Sequence, residues 1–99
     1  MNLDFLTPQE LARELGSRLR TLRLNRRFEQ GELALRAGVS ERTVRALEQG
    51  HGSTVETLLR VLKALDSLAG LEALAPRPTV DPLAMLKHLT PPMRVRKRK

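Results

Sequence analysis

The stretch Gln30–Gly50, QGELALRAGVSERTVRALEQG, constrains the fold more than any other part of the chain. Leu33, Ala34 and Ala37 recur at helical spacing and stop at Gly38-Val39-Ser40. Gly38 can take the left-handed conformation that ends a helix. Ser40 can then accept from the free N–H groups that open the next one. A second short segment follows to about Gln49, with Val44 and Leu47 on one side. Helices this short are unstable alone. Both must therefore lie on neighbours, and the turn between them must be tight.

The flanking sequence supplies those neighbours. Thr7-Pro8-Gln9-Glu10 starts a helix: Thr7 caps, Pro8 suits the first position and Glu10 completes a capping box. Leu11, Leu15, Leu19 and Leu22 then predict helix 1 to about Asn25, weakened or bent at Gly16. Arg26-Arg27-Phe28-Glu29 is a connector, and Gly50-His51-Gly52 a second break. Ser53-Thr54-Val55-Glu56 reads as another capping box, opening helix 4 with Leu58, Leu59, Val61, Leu62 and Leu65. Helix 5 is expected over about Ser67 to Ala75, carrying Leu68, Leu71 and Leu74. Pro76-Arg77-Pro78-Thr79-Val80 cannot continue it and reads as an extended linker. A short apolar segment follows through Leu83, Met85, Leu86 and Leu89, then a basic end, MRVRKRK. The expected organisation is one domain over 1–75 and a C-terminal tail over 76–99.

Composition agrees with helices. Ile, Tyr and Trp are absent, and Phe5 and Phe28 are the only aromatics. Strands favour such residues, whereas Leu, Ala, Arg and Glu favour helices. The expected class is all-α. With no cysteine there is no disulfide framework and no thiolate metal site. His51 and His88 stand without nearby ligands, so no metal or cofactor is expected. No nucleophile–base set or Gly-rich phosphate loop appears, so an enzyme is not expected. No apolar run approaches the roughly 20 residues that span a bilayer. The acidic, polar start MNLDFLTPQE does not look like a signal peptide. The expectation is a cytoplasmic protein without membrane contact.

The formal net charge is +7, unevenly spread. Residues 17–50 carry eight arginines against four glutamates, and 76–99 carry a second basic zone. A polyanion is the natural partner. At 100° per residue, the outer side of helix 3 presents Arg42, Arg45 and Gln49, with Glu41 at its start. Two short helices joined by a tight Gly-containing turn form a helix-turn-helix, whose second helix enters the major groove of DNA N-terminal end first. Arginine suits that place because its fork pairs with guanine O6 and N7.

Two runs of residues carry a resemblance. Leu19-Arg20-Thr21-Leu22-Arg23-Leu24-Asn25-Arg26 is followed by Gln30-x-x-Leu33-Ala34-x-x-Ala37-Gly38-Val39-Ser40-x-x-Thr43-Val44-x-x-Leu47-Glu48-x-Gly50. Over roughly residues 15–66 the chain resembles the XRE or lambda-repressor-like helix-turn-helix family. The resemblance implies a five-helix, usually dimeric DNA-binding regulator. It implies that Gln30 contacts a phosphate, that Ser40 caps helix 3 and touches the backbone or a thymine methyl, and that Thr43 lies near phosphate. Glu41, Arg42 and Arg45 would face base edges. Arg26 and Arg27, with Arg20, are further phosphate candidates. It also implies an Arg23–Glu48 ion pair tying helix 1 to helix 3. Two positions depart from the pattern. Glu41 either accepts from cytosine N4 or pairs with Arg45 one turn on. Glu29 stands where Ser or Thr is usual before the glutamine, leaving a weaker cap for helix 2.

Leu68, Leu71 and Leu74 either close the monomer core or form a homodimer interface placing two recognition helices about 34 Å apart on a palindromic operator. The most direct reading is a dimeric repressor of transcription on double-stranded DNA. The layout of domain, proline linker, apolar segment and basic end also resembles HipB-like antitoxins. That alternative implies an autorepressor of a toxin–antitoxin pair that neutralises a kinase-like toxin.

Overall fold

Reciprocal hydrogen bonds open the first long helix. The Glu10 N–H donates to Thr7 Oγ1 at 3.1 Å, and the Thr7 N–H donates to Glu10 Oε1 at 2.8 Å. Pro8 follows directly, where its missing N–H is no loss. The computed structural model describes residues 2–78. Among them are five α-helices and no strand: α1 (Pro8–Asn25), α2 (Gln30–Ala37), α3 (Glu41–Glu48), α4 (Val55–Ala64) and α5 (Leu71–Leu74). Short 3-10 turns precede α1 at Leu3–Phe5 and α5 at Leu68–Gly70. The tail beyond residue 78, with Leu83–Leu89 and the basic end, lies outside the described residues.

The first four helices end alike. Arg27, Gly38, Gly50 and Asp66 each have positive φ. The following N–H then reaches back five residues: Phe28 to Arg23, Val39 to Ala34, His51 to Ala46 and Ser67 to Leu62. These bonds satisfy carbonyls that a helix end would leave unpaired. Gly38, at φ 74°, does this without a Cβ penalty.

Eight apolar residues are buried in one cluster: Leu19 of α1, Leu33, Ala34 and Ala37 of α2, Val44 and Leu47 of α3, Val61 of α4, and Leu65 just after it. Leu22, Phe28, Val39, Leu58 and Leu62 pack against its edge. α2 therefore lies between α3 and α4, while α1 lies across α3. Leu11 and Leu15 share the spacing of Leu19 yet stay partly exposed, because the core reaches only the C-terminal half of α1.

Gly16 explains how α1 and α3 meet. The helix runs unbroken through it, and it is buried. A Cβ placed there would lie 2.5 Å from the carbonyl oxygens of both Leu47 and Glu48. The glycine that weakens α1 locally thus allows backbone to touch backbone.

Two expected elements differ. The cap of α4 is Thr54, whose Oγ1 accepts from the Thr57 N–H at 3.1 Å. Ser53 instead donates to the Thr54 carbonyl, and Glu56 binds Arg60, so the expected Ser53/Glu56 box does not form. The region expected as one helix from Ser67 to Ala75 is a 3-10 turn running into a single turn of α5. Gly70, a weak helix former, sits at the change. No residue of this region is buried.

Candidate nucleic-acid interface

α3 is held from beneath and left open above. Its Val44 and Leu47 are buried, whereas Glu41, Arg42, Arg45 and Gln49 are exposed. Ser40 fixes its start by accepting from the Thr43 N–H at 3.0 Å. The Ser40 and Thr43 hydroxyls share a further hydrogen bond at 2.8 Å. Ser40 is exposed and Thr43 half-buried, so both remain at the surface beside the helix start.

Behind α3 sits a buried ionic network. Arg23 Nε donates to Glu48 Oε2 at 2.6 Å, and Nη2 donates to Oε1 at 3.1 Å. The remaining fork atom, Nη1, donates to the Phe28 carbonyl at 2.8 Å. Side-chain exposure is 8% for Arg23 and 4% for Glu48. Two parallel charge-assisted bonds suit the planar guanidinium. Gln30 joins through Nε2, which donates to Glu48 Oε1 at 3.0 Å. No buried side-chain nitrogen or oxygen is left without a partner among the described residues. The C-terminal turn of α1, the start of α2 and the end of α3 are thereby one rigid piece.

Gln30's tie to Glu48 was not visible in the sequence. It fixes the carboxamide at the mouth of a cleft lined by Arg20, Arg23, Arg27, Glu29, Gln30, Gly31, Glu32 and Glu41. This cleft joins the end of α1 to the starts of α2 and α3. Glu29 occupies the cap position of α2 but makes no side-chain capping bond. The first intrahelical N–H there is that of Leu33, which donates to the Glu29 carbonyl. The N–H groups of the first turn therefore face the cleft without a side-chain cap.

The charged candidates differ in freedom. Arg42 has no ion-pair partner among the described residues, nor do Arg20 and Arg27. Arg26 lies 3.4 Å from Asp66, both exposed. Arg45 Nη2 is 3.5 Å from Glu41 Oε2, with side-chain exposures of 49% and 55%. Such a pair is weak in water and easily opened. The face can thus present guanidinium donors to base edges or phosphates. Among the described residues no group of His, Asp and Glu could hold a metal ion, and no helix is long and apolar enough to cross a membrane.

Leu68, Leu71 and Leu74 lie away from this face. All three are exposed, Leu74 at 72%. Leu68 and Leu71 line a second cleft with Ala37, Leu59 and Ala64, rimmed by Arg36, Arg60 and Lys63.

The sequence matches the profile of a helix-turn-helix domain over residues 14–82. A protein of Methanospirillum hungatei named "Putative HTH-type transcriptional regulatory protein" is 46% identical over 52 residues, covering 52% of this chain and 17% of the relative. A protein of the same name from Methanocella arvoryzae is 40% identical over 52 residues, covering 52% of this chain and 16% of the relative. The chain thus spans less than a fifth of the length of these curated relatives. The profile covers most of the chain, and its span contains the α2–turn–α3 unit with the supports that α1 and α4 give it. This chain belongs to the XRE-like helix-turn-helix family.

Proposed function

We propose that this chain is a DNA-binding module of a transcriptional regulator, in which α3 lies in the major groove of double-stranded DNA. The observation that carries this is the exposed Arg42, without an ion-pair partner among the described residues, near the start of a helix fixed by the Arg23–Glu48–Gln30 network. A rigid support lets an arginine reach a base edge without first being ordered. Arg42 and Arg45 read bases, with Glu41 beside them. Gln30, Ser40, Thr43, Arg26 and Arg27 flank the reading helix and contact phosphates. The regulator acts as a repressor. It does so as a homodimer joined through Leu68, Leu71 and Leu74 on a palindromic operator, since one such helix reads only a few base pairs.

Selection of bound oligonucleotides from a random pool at fixed salt is expected to return an inverted repeat. Against that sequence, Arg42→Ala weakens binding by about 10- to 100-fold and relaxes the preference at one position. Arg26→Ala weakens all sequences alike. A protein that binds no duplex at low salt, or whose preference survives Arg42→Ala unchanged, refutes the reading. The HipB-like antitoxin alternative rests on the layout of 76–99, most of which lies outside the described residues. Co-purification of a kinase-like partner by the full chain, lost on deleting 76–99 with DNA binding kept, supports that alternative.

A further inference from the structure

The start of α2 is chemically unlike the other three helix starts around it. Thr7, Ser40 and Thr54 each cap their helix with a hydroxyl, whereas Glu29 leaves the first N–H groups of α2 without a side-chain acceptor. Glu41 reaches that turn from α3, in a cleft that Glu29 and Glu32 of the turn itself also line. Glu41 Oε1 lies 3.3 Å from the position a Gly31 Cβ would take. Its other oxygen, Oε2, is the one facing Arg45. A side chain at 31 would press on the carboxylate and make it give by a few tenths of an ångström. Glu41 is therefore drawn by three sources of positive charge: the start of α2, the start of its own helix and the Arg45 guanidinium. Among the described residues its carboxylate hydrogen-bonds to Arg45 and to no α2 amide, so it stands by the turn without closing it.

Resting on the DNA-binding reading above, we infer that Glu41 is a specificity-determining residue, an internal counter-anion that every duplex must displace and only the right sequence compensates. In the free protein it pairs loosely with Arg45 and places a negative charge where a phosphate would approach. On DNA the carboxylate is repelled by the backbone, and Arg45 must leave it to reach a base. That penalty applies to all sequences. A cytosine facing α3 relieves it, because its N4 amino group donates to the carboxylate. Non-cognate sites offer no such donor, so Glu41 lowers non-specific affinity more than specific affinity.

The test is Glu41→Gln in the full chain. Binding is measured on the selected operator and on a scrambled duplex across a salt series, with helical content and melting checked against the parent. The variant is expected to bind the scrambled duplex about tenfold more tightly at low salt, from the loss of one repulsive charge. Operator affinity is expected to move less than about threefold, since glutamine is a poorer acceptor for cytosine N4. The ratio of specific to non-specific affinity falls. A folded variant with unchanged or weaker non-specific binding, or with an unchanged ratio, overturns the inference while leaving the DNA-binding reading intact. If neither parent nor variant binds any duplex, the DNA-binding reading itself fails.

Discussion

The α2–α3 unit and the α5 region are both built from short helices, yet they differ in how they are held. α2 and α3 bury five apolar residues between them and are tied by the Arg23–Glu48–Gln30 network. Leu68–Leu74 buries none and leaves its leucines in water. Helix propensity alone does not separate the two. What separates them is a well-satisfied polar network under one and, among the described residues, no covering surface over the other. Rigidity is concentrated under the exposed face of α3, and apolar surface is concentrated at Leu68–Leu74.

Three experiments would break or sharpen that contrast. The largest effect is expected from Glu48→Ala, which strands the buried Arg23 guanidinium. It should lower stability by about 3–5 kcal/mol in chemical denaturation. A loss near zero would mean that the network holds nothing. Next comes a pair of glycine substitutions. Gly16→Ala puts a methyl against two backbone carbonyls and should destabilise by about 1–3 kcal/mol despite the better helix propensity of alanine. Gly70→Ala meets nothing within 4 Å and should be neutral or stabilising by a few tenths of a kcal/mol. Equal effects would erase the difference between the regions. The smallest change in monomer stability is expected from Leu71→Glu, within about 0.5 kcal/mol because the residue is already exposed. In sedimentation, however, it should shift any dimer towards monomer. An unchanged oligomeric state would remove Leu71 from the interface.

The sequence made the tight local features readable. Thr7 with Glu10, Gly38 and Ser40 act within a few residues of themselves, and their partners can be counted off along the chain. The register of α4 was less legible because Ser53 and Thr54 are adjacent hydroxyls and either could cap. Packing chose Thr54, which places Val61 and Leu65 in the core. Features that depend on distant residues were hidden. Nothing local marks Gly16 as the crossing point of two helices. Nothing marks the Gln30 carboxamide as a third member of the Arg23–Glu48 group, since a carboxylate can accept from several donors and the sequence does not show which converge. The exposure of Leu11 and Leu15 was equally invisible, because periodicity gives the face of a helix but not how far along it the neighbours extend.

The contact at Gly16 has a consequence for how such a chain can change over time. Main-chain atoms, not side chains, set the tilt of α3 at that point. Residues 41, 42, 45 and 49 can therefore be rewritten without re-aiming the rod that carries them. A lineage, or an engineer, could change what that face touches while inheriting its posture unaltered.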